Sequence, residues 1–106
     1  MSHVILFSTA SNEEEAAKIS TALVSKHLAA GVNIVPKIRS IYFWKNKVHD
    51  EAEVLMMIKS HQKCVEQIKT TLKNLHSYEC PELVVVQISD GLKDYLDWID
   101  EGSISF

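Results

Sequence analysis

The densest run of chemically capable side chains is His76-Ser77-Tyr78-Glu79-Cys80-Pro81-Glu82, an imidazole, a phenol, a thiol and carboxylates within seven positions. His76 and Cys80, four residues apart in a stretch that Pro81 can turn back on itself, are a soft pair. With Glu82 or a residue from another subunit they could hold copper, zinc or another divalent cation, weakly because the set is incomplete. The same His76 also suits the last turn of a helix, where an imidazole sits favourably at the negative end of the dipole. A third use is catalytic, with His76, Tyr78 and Glu82 sharing acid–base work across an interface. His61 and Cys64 have helical i, i+3 spacing for a shared ion, but Cys64 falls on an apolar stripe where a thiol behaves as a small hydrophobe. Glu53 and Lys59 lie six residues apart on one face of a strand and could border a polar cleft, with Lys59 as an anion contact. Tyr95 and Trp98 form an i, i+3 aromatic pair whose polar edges suit packing or a pocket rim. No phosphate loop, dinucleotide fingerprint, nucleophile elbow or H-E-x-x-H motif is present.

These residues need elements to position them, and the periodicities supply an order. Val4 to Phe7 is a continuous apolar run, as for a strand buried on both faces. Ser11 and Glu14 have the form of a capping box. The following helix carries Ala16, Ile19, Leu23 and Ala30 on one stripe, widened by Ala17, Val24 and Leu28, and Gly31 ends it. Val32 to Trp44 and Val48 to Lys59 alternate as the arms of a hairpin closed by Lys45-Asn46-Lys47, with an edge position or bulge expected at Pro36. Ser60 caps a second helix with Cys64/Val65, Ile68, Leu72 and Leu75 inward. Leu83 to Ile88 is a further strand, and Ser89 or Asp90 opens a third helix through Leu92, Tyr95/Leu96 and Ile99. Ser103 to Phe106 alternates as a short edge strand. The order β-α-β-β-α-β with right-handed crossovers gives an α+β, ferredoxin-like antiparallel sheet, with a C-terminal helix and edge strand added.

Each hairpin arm holds about a dozen residues, roughly 40 Å at about 3.3 Å per residue, against roughly 35 Å for the diameter of a domain of this length. The ribbon should overhang its own core. Tipped with Tyr42, Phe43 and Trp44, it would display apolar surface unless another subunit covers it.

At 106 residues, 46% hydrophobic and 24% charged, the chain has room for a single packed domain, 1–106. A net charge of −3 with scattered lysines gives no footprint for nucleic acid. The apolar runs are too short for a membrane span, and the amino-terminal run lacks the charged region of a signal peptide. Two cysteines outside any C-x-x-C pair, without a targeting segment, point to the cytoplasm.

Five segments together resemble the CutA divalent-cation-tolerance family: Leu28 to Ile34, Ser40 to Trp44, Glu53 to Lys59, His76 to Glu82, and Tyr95 to Ile99. The resemblance implies a homotrimer of ferredoxin-like protomers with embracing hairpins, and a part in copper or other divalent-metal homeostasis. It maps the family's recurring positions onto Tyr42, Trp44, Glu53, Lys59, His76, Tyr78, Glu82, Tyr95 and Trp98, with a metal or small ligand bound between subunits. Three departures stand out: Gly31 where many members carry cysteine, Asn46 where glycine is usual, and Ser77 where proline is common. The runner-up reading is a small-molecule signalling trimer like the nitrogen-regulatory PII proteins. Those carry a long mobile loop between the central strands, where this chain has only Lys45-Asn46-Lys47.

Overall fold

Side-chain alternation along the first strand, β1 (His3–Ala10), decides how the sheet is covered. Val4, Leu6 and Ser8 are fully buried while Ile5 and Phe7 are half-buried. One face of the strand is therefore sealed within the protomer and the other is not, whereas the unbroken apolar run suggested equal cover on both. The computed structural model describes residues 2–104. After β1 come α1 (Glu13–Ser25), β2 (Gly31–Trp44), β3 (Lys47–His61), a 3-10 turn at Gln62–Cys64, α2 (Val65–Leu75), β4 (Val84–Gln87) and α3 (Lys93–Gly102). The sheet order is β2-β3-β1-β4 with every neighbouring pair antiparallel, the ferredoxin-like arrangement expected of the element order.

The core lies between one sheet face and helices α1 and α2. It joins Val4, Leu6, Val54, Met56 and Ile58 to Ile19, Leu23, Ile68 and Leu72. Ala17 and Val24, expected to widen the α1 stripe, are exposed, and Ser20 is buried in their place. The caps sit one residue later than the sequence suggests. Asn12, not Ser11, accepts from the Glu15 backbone N–H, and Glu15, not Glu14, accepts from the Ser11 N–H. His61, not Ser60, caps the turn into α2, because the Ser60 hydroxyl is buried and donates to the Leu28 carbonyl. Helix α1 also stops at Ser25, well before Gly31: His27 takes the left-handed conformation at φ 58° and the chain turns there. Gly31 instead opens β2, where a Cβ would stand 2.8 Å from the Trp98 ring. Helix α3 starts at Lys93 behind Leu92 rather than at Ser89 or Asp90, and no side chain caps it. Ser103 and Ile104 are not in a strand, and the rest of the expected edge strand, Ser105 and Phe106, lies outside the described residues.

β1 pairs with β3 only as far as Ala10 opposite Val54. Beyond that point β2 and β3 continue alone, Ile38 opposite Glu53 out to Trp44 opposite Lys47. The long dimension of 43 Å, against 25 and 21 Å across, is this overhang. Lys45 and Asn46, at φ 52° and 62°, close it as a two-residue turn whose twist matches the strands. At Pro36, which has no N–H for the ladder, the register shifts between Val35 and Ile38 and Lys37 swings to φ 60°.

Candidate functional site

The loop from His76 to Glu82 reaches back beside the ribbon, and hydrogen bonds from three elements fix it. The imidazole of His76 is wholly buried: Nδ1 accepts from the Tyr78 N–H at 3.1 Å, which leaves Nε2 to donate to the Thr9 carbonyl at 2.6 Å. Glu15, at the head of α1, accepts from the Ser77 N–H at 2.8 Å and from Ser11 N and Oγ at 3.1 and 3.0 Å. Burial raises the Glu15 pKa, but the hydrogen bonds from Ser77 and Ser11 outweigh it and hold the carboxyl at about 2. The Ser8 hydroxyl donates to the Glu82 carbonyl at 2.6 Å, tying the end of the loop to β1.

Between this loop and the ribbon lies an open groove of about 610 Å³, lined by Tyr42, Trp44, Glu53, Tyr78, Cys80 and Glu82, with Thr9, Arg39 and Glu79 beside them. Glu53 is only 8% exposed and accepts from the Tyr78 hydroxyl at 2.6 Å. Burial first, then that bond and the Glu53 charge, push the Tyr78 phenol well above the ordinary range, so it remains a donor. Burial, and after it the neighbouring Glu53, also raise the Glu82 carboxyl. At the groove's outer end Lys45 bridges to Glu79 at 3.4 Å, and the Tyr42 hydroxyl donates to Glu51 at 2.7 Å. Arg39 is engaged by Asp50 through two hydrogen bonds of 2.8 and 2.6 Å.

The remaining candidate residues gather elsewhere. Lys59, six residues along β3 from Glu53, sits roughly 20 Å away along the strand. It faces Ile5 and Gly31 across the ladder, and burial lowers its pKa. Trp98 packs on Gly31, and with Tyr95 and Leu92 it borders a second, shallower groove on α3. The sequence thus supplied one site's residues mixed with another's. Thr9 and Arg39 were not anticipated; only the register of β1 and β2 against β3 brings them to Glu53. Glu15 was legible solely as a helix-start acid.

His76 and Cys80 stand in unlike settings, the first enclosed with both ring nitrogens engaged, the second an exposed thiol in the groove. Among the described residues no three His, Cys, Asp or Glu side chains are grouped to hold a metal ion. The donors of one protomer therefore do not fit a resident metal here. The acid–base reading fares similarly, since Tyr78 is held protonated and His76 presents no nitrogen to the groove. Cys64 is fully buried, as its place on the apolar stripe suggested.

A family model described as CutA1 divalent ion tolerance protein matches residues 4–102. The chain belongs to this family. Among curated relatives, a divalent-cation tolerance protein CutA of Thermus thermophilus is 41% identical over 97% of this chain and 99% of its own length. A protein CutA of Mus musculus is 40% identical over 90% of this chain but 54% of its own, so the chain spans about half of that mammalian relative. Among solved structures, the Thermus thermophilus Cut A1 protein superposes with a TM-score of 0.93 at 39% identity, covering 95% of this chain and 98% of that one. A PII-like protein CutA of Nostoc gives 0.88 at 33% identity, each chain covered in full. The family is one of tolerance proteins and not a known family of enzymes. No helix among the described residues is long and apolar enough to cross a membrane.

Proposed function

We propose that this chain works as a cytoplasmic, non-catalytic homotrimer in divalent-metal tolerance or response, copper being the metal the family resemblance names, and that it binds a small ligand or metal ion in clefts between subunits. The observation that carries this reading is the ribbon-and-loop groove, an open cleft with Glu53 buried at its base and one wall on an unsupported hairpin. A second subunit is needed to cover that hairpin, where Phe43 is 69% and Ile41 63% exposed. The half-covered sheet face, with Val84 and Val86 about half exposed, supports association as well. The PII-like reading, a small-molecule signalling trimer, favours the same use of the cleft, and the description of the Nostoc neighbour as PII-like supports it. In either case the metal half of the proposal depends on a neighbouring subunit completing the donor set around Cys80, or on His76 leaving the Thr9 carbonyl.

Light scattering together with metal analysis tests this. A particle near three times the 12.0 kDa chain mass is expected. Copper titration of wild type beside His76→Ala and Cys80→Ser should show weaker binding in the variants, and weaker binding in wild type as pH falls through the histidine range. A monomer at micromolar concentration refutes the assembly, and identical titrations in all three proteins remove the metal role from this loop.

A further inference from the structure

The ligand class can be read from what the groove lacks. Three carboxyl groups, Glu53, Glu79 and Glu82, line it, and of these only Glu79 has a cation, Lys45. Arg39 is committed to Asp50 through both hydrogen bonds, and Lys45 lies against Glu79. Tyr78 gives Glu53 a proton to share but no charge. Among the described residues no hydrogen bond to the Glu82 carboxyl is formed, and burial followed by the Glu53 charge raises it. The facing wall is aromatic, with Tyr42 and Trp44 in the lining, and the Lys45 ammonium already sits 5.7 Å from the Trp44 ring centroid. An anionic ligand would meet three carboxyl groups, and the two cations nearby, Arg39 and Lys45, are each already paired with a carboxylate. A hard divalent ion would want several oxygen donors, which one protomer does not group, and aromatic faces offer it none. A cation carrying an apolar body satisfies both walls, with charge to the carboxyls and CH groups on the rings. The volume of about 610 Å³ is ordinary for a small-molecule site.

We infer that the groove binds a small organic cation, a protonated or quaternary amine, with its charge held by Glu53 and Glu82 and its apolar part on Tyr42 and Trp44. This rests on the groove being the ligand site of the proposed function, and it names the chemistry of the occupant.

The test uses the full chain and three probes of one shape: choline, its neutral isostere 3,3-dimethylbutan-1-ol, and the anion 3,3-dimethylbutanoate. Saturation-transfer NMR follows their methyl signals. Choline should bind at least roughly tenfold more tightly than the alcohol, and the anion should not bind. Glu82→Gln, at a side chain with no internal partner to disrupt, should weaken choline roughly tenfold and leave the alcohol unchanged. Asp97→Asn, on α3 and paired with Lys93, is the control and should change neither. Equal binding of choline and alcohol overturns the inference, as do an unaffected Glu82→Gln, tighter binding of the anion, or zinc binding in the groove with no choline binding at any soluble concentration. Light scattering on the same samples separates the two proposals. A trimer that ignores choline defeats only the ligand class, and a monomer that binds it defeats only the assembly.

Discussion

Replacing Glu15 by glutamine should make the protein less stable at neutral pH and much less sensitive to acid. The Glu15 side chain is 12% exposed and its carboxylate accepts three hydrogen bonds, two from Ser11 and one from Ser77. Its pKa of about 2, against 4.5 for an ordinary glutamate, corresponds at about 1.36 kcal/mol per pH unit to a ceiling of about 3.4 kcal/mol. Partial solvent contact screens some of that, and glutamine keeps one acceptor oxygen while turning its amide toward a donor, so a loss of about 2 kcal/mol is expected. Because the folded pKa lies below the unfolded one, the stabilisation is complete above about pH 5. It drains away as pH falls toward 2. Urea denaturation of wild type and Glu15→Gln at matched protein concentration, from neutral pH down to the acid limit, should show the two curves converging through that window. A constant gap across the window would refute the argument, since it would mean that the charge of Glu15 contributes nothing beyond its shape. The same variant frees the Ser77 N–H, so the loop carrying Tyr78 and Glu82 should gain amide exchange even where the fold survives.

Trp44→Ala should weaken trimer association by at least about 2 kcal/mol if a neighbour buries the ring, read as dissociation on dilution in light scattering. Unchanged dissociation would remove the ribbon from assembly. Gly31→Ala places a Cβ 2.8 Å from Trp98 and should lower stability by about 1–3 kcal/mol in urea denaturation, with a change in tryptophan fluorescence as the ring shifts. An unperturbed emission spectrum would show that Trp98 was never pressed against the glycine. Asn46→Ala, at φ 62°, should cost about 1–2 kcal/mol and Asn46→Gly should not, both measured by the same denaturation.

The strands and their order were legible because Val54, Met56 and Ile58 alternate cleanly, and because β-branched and aromatic residues run through both hairpin arms. Helix ends were less so. Glu13, Glu14 and Glu15 are chemically alike, and only the φ and ψ of Asn12 decide which of them closes the cap. The glycine rule also misled at Gly31, since His27 accepted the left-handed turn first and the glycine was reserved for Trp98. As for the site, the family resemblance pointed to Tyr42, Trp44, Glu53, Tyr78 and Glu82, but their assembly into one groove depends on strand register and on the tether from Glu15 to Ser77. Local spacing does not encode either one. The same limit explains His76 and Cys80: four residues apart in sequence, they are divided by the Thr9 carbonyl, which claims the imidazole for the interior.

The ribbon begins where β1 stops, so its length is independent of everything the core requires. Because its closing turn takes two residues and its side chains alternate, lengthening both arms by two would return every side chain at the tip to the same face, displaced outward by roughly 7 Å. Lengthening each by one would turn the tip over and exchange the faces on which Tyr42 and Trp44 and their neighbours Ile41 and Phe43 stand. Length variation along this part of the chain is thus quantised. A lineage can change how far the arm reaches while keeping what it presents, provided the ribbon grows in even steps.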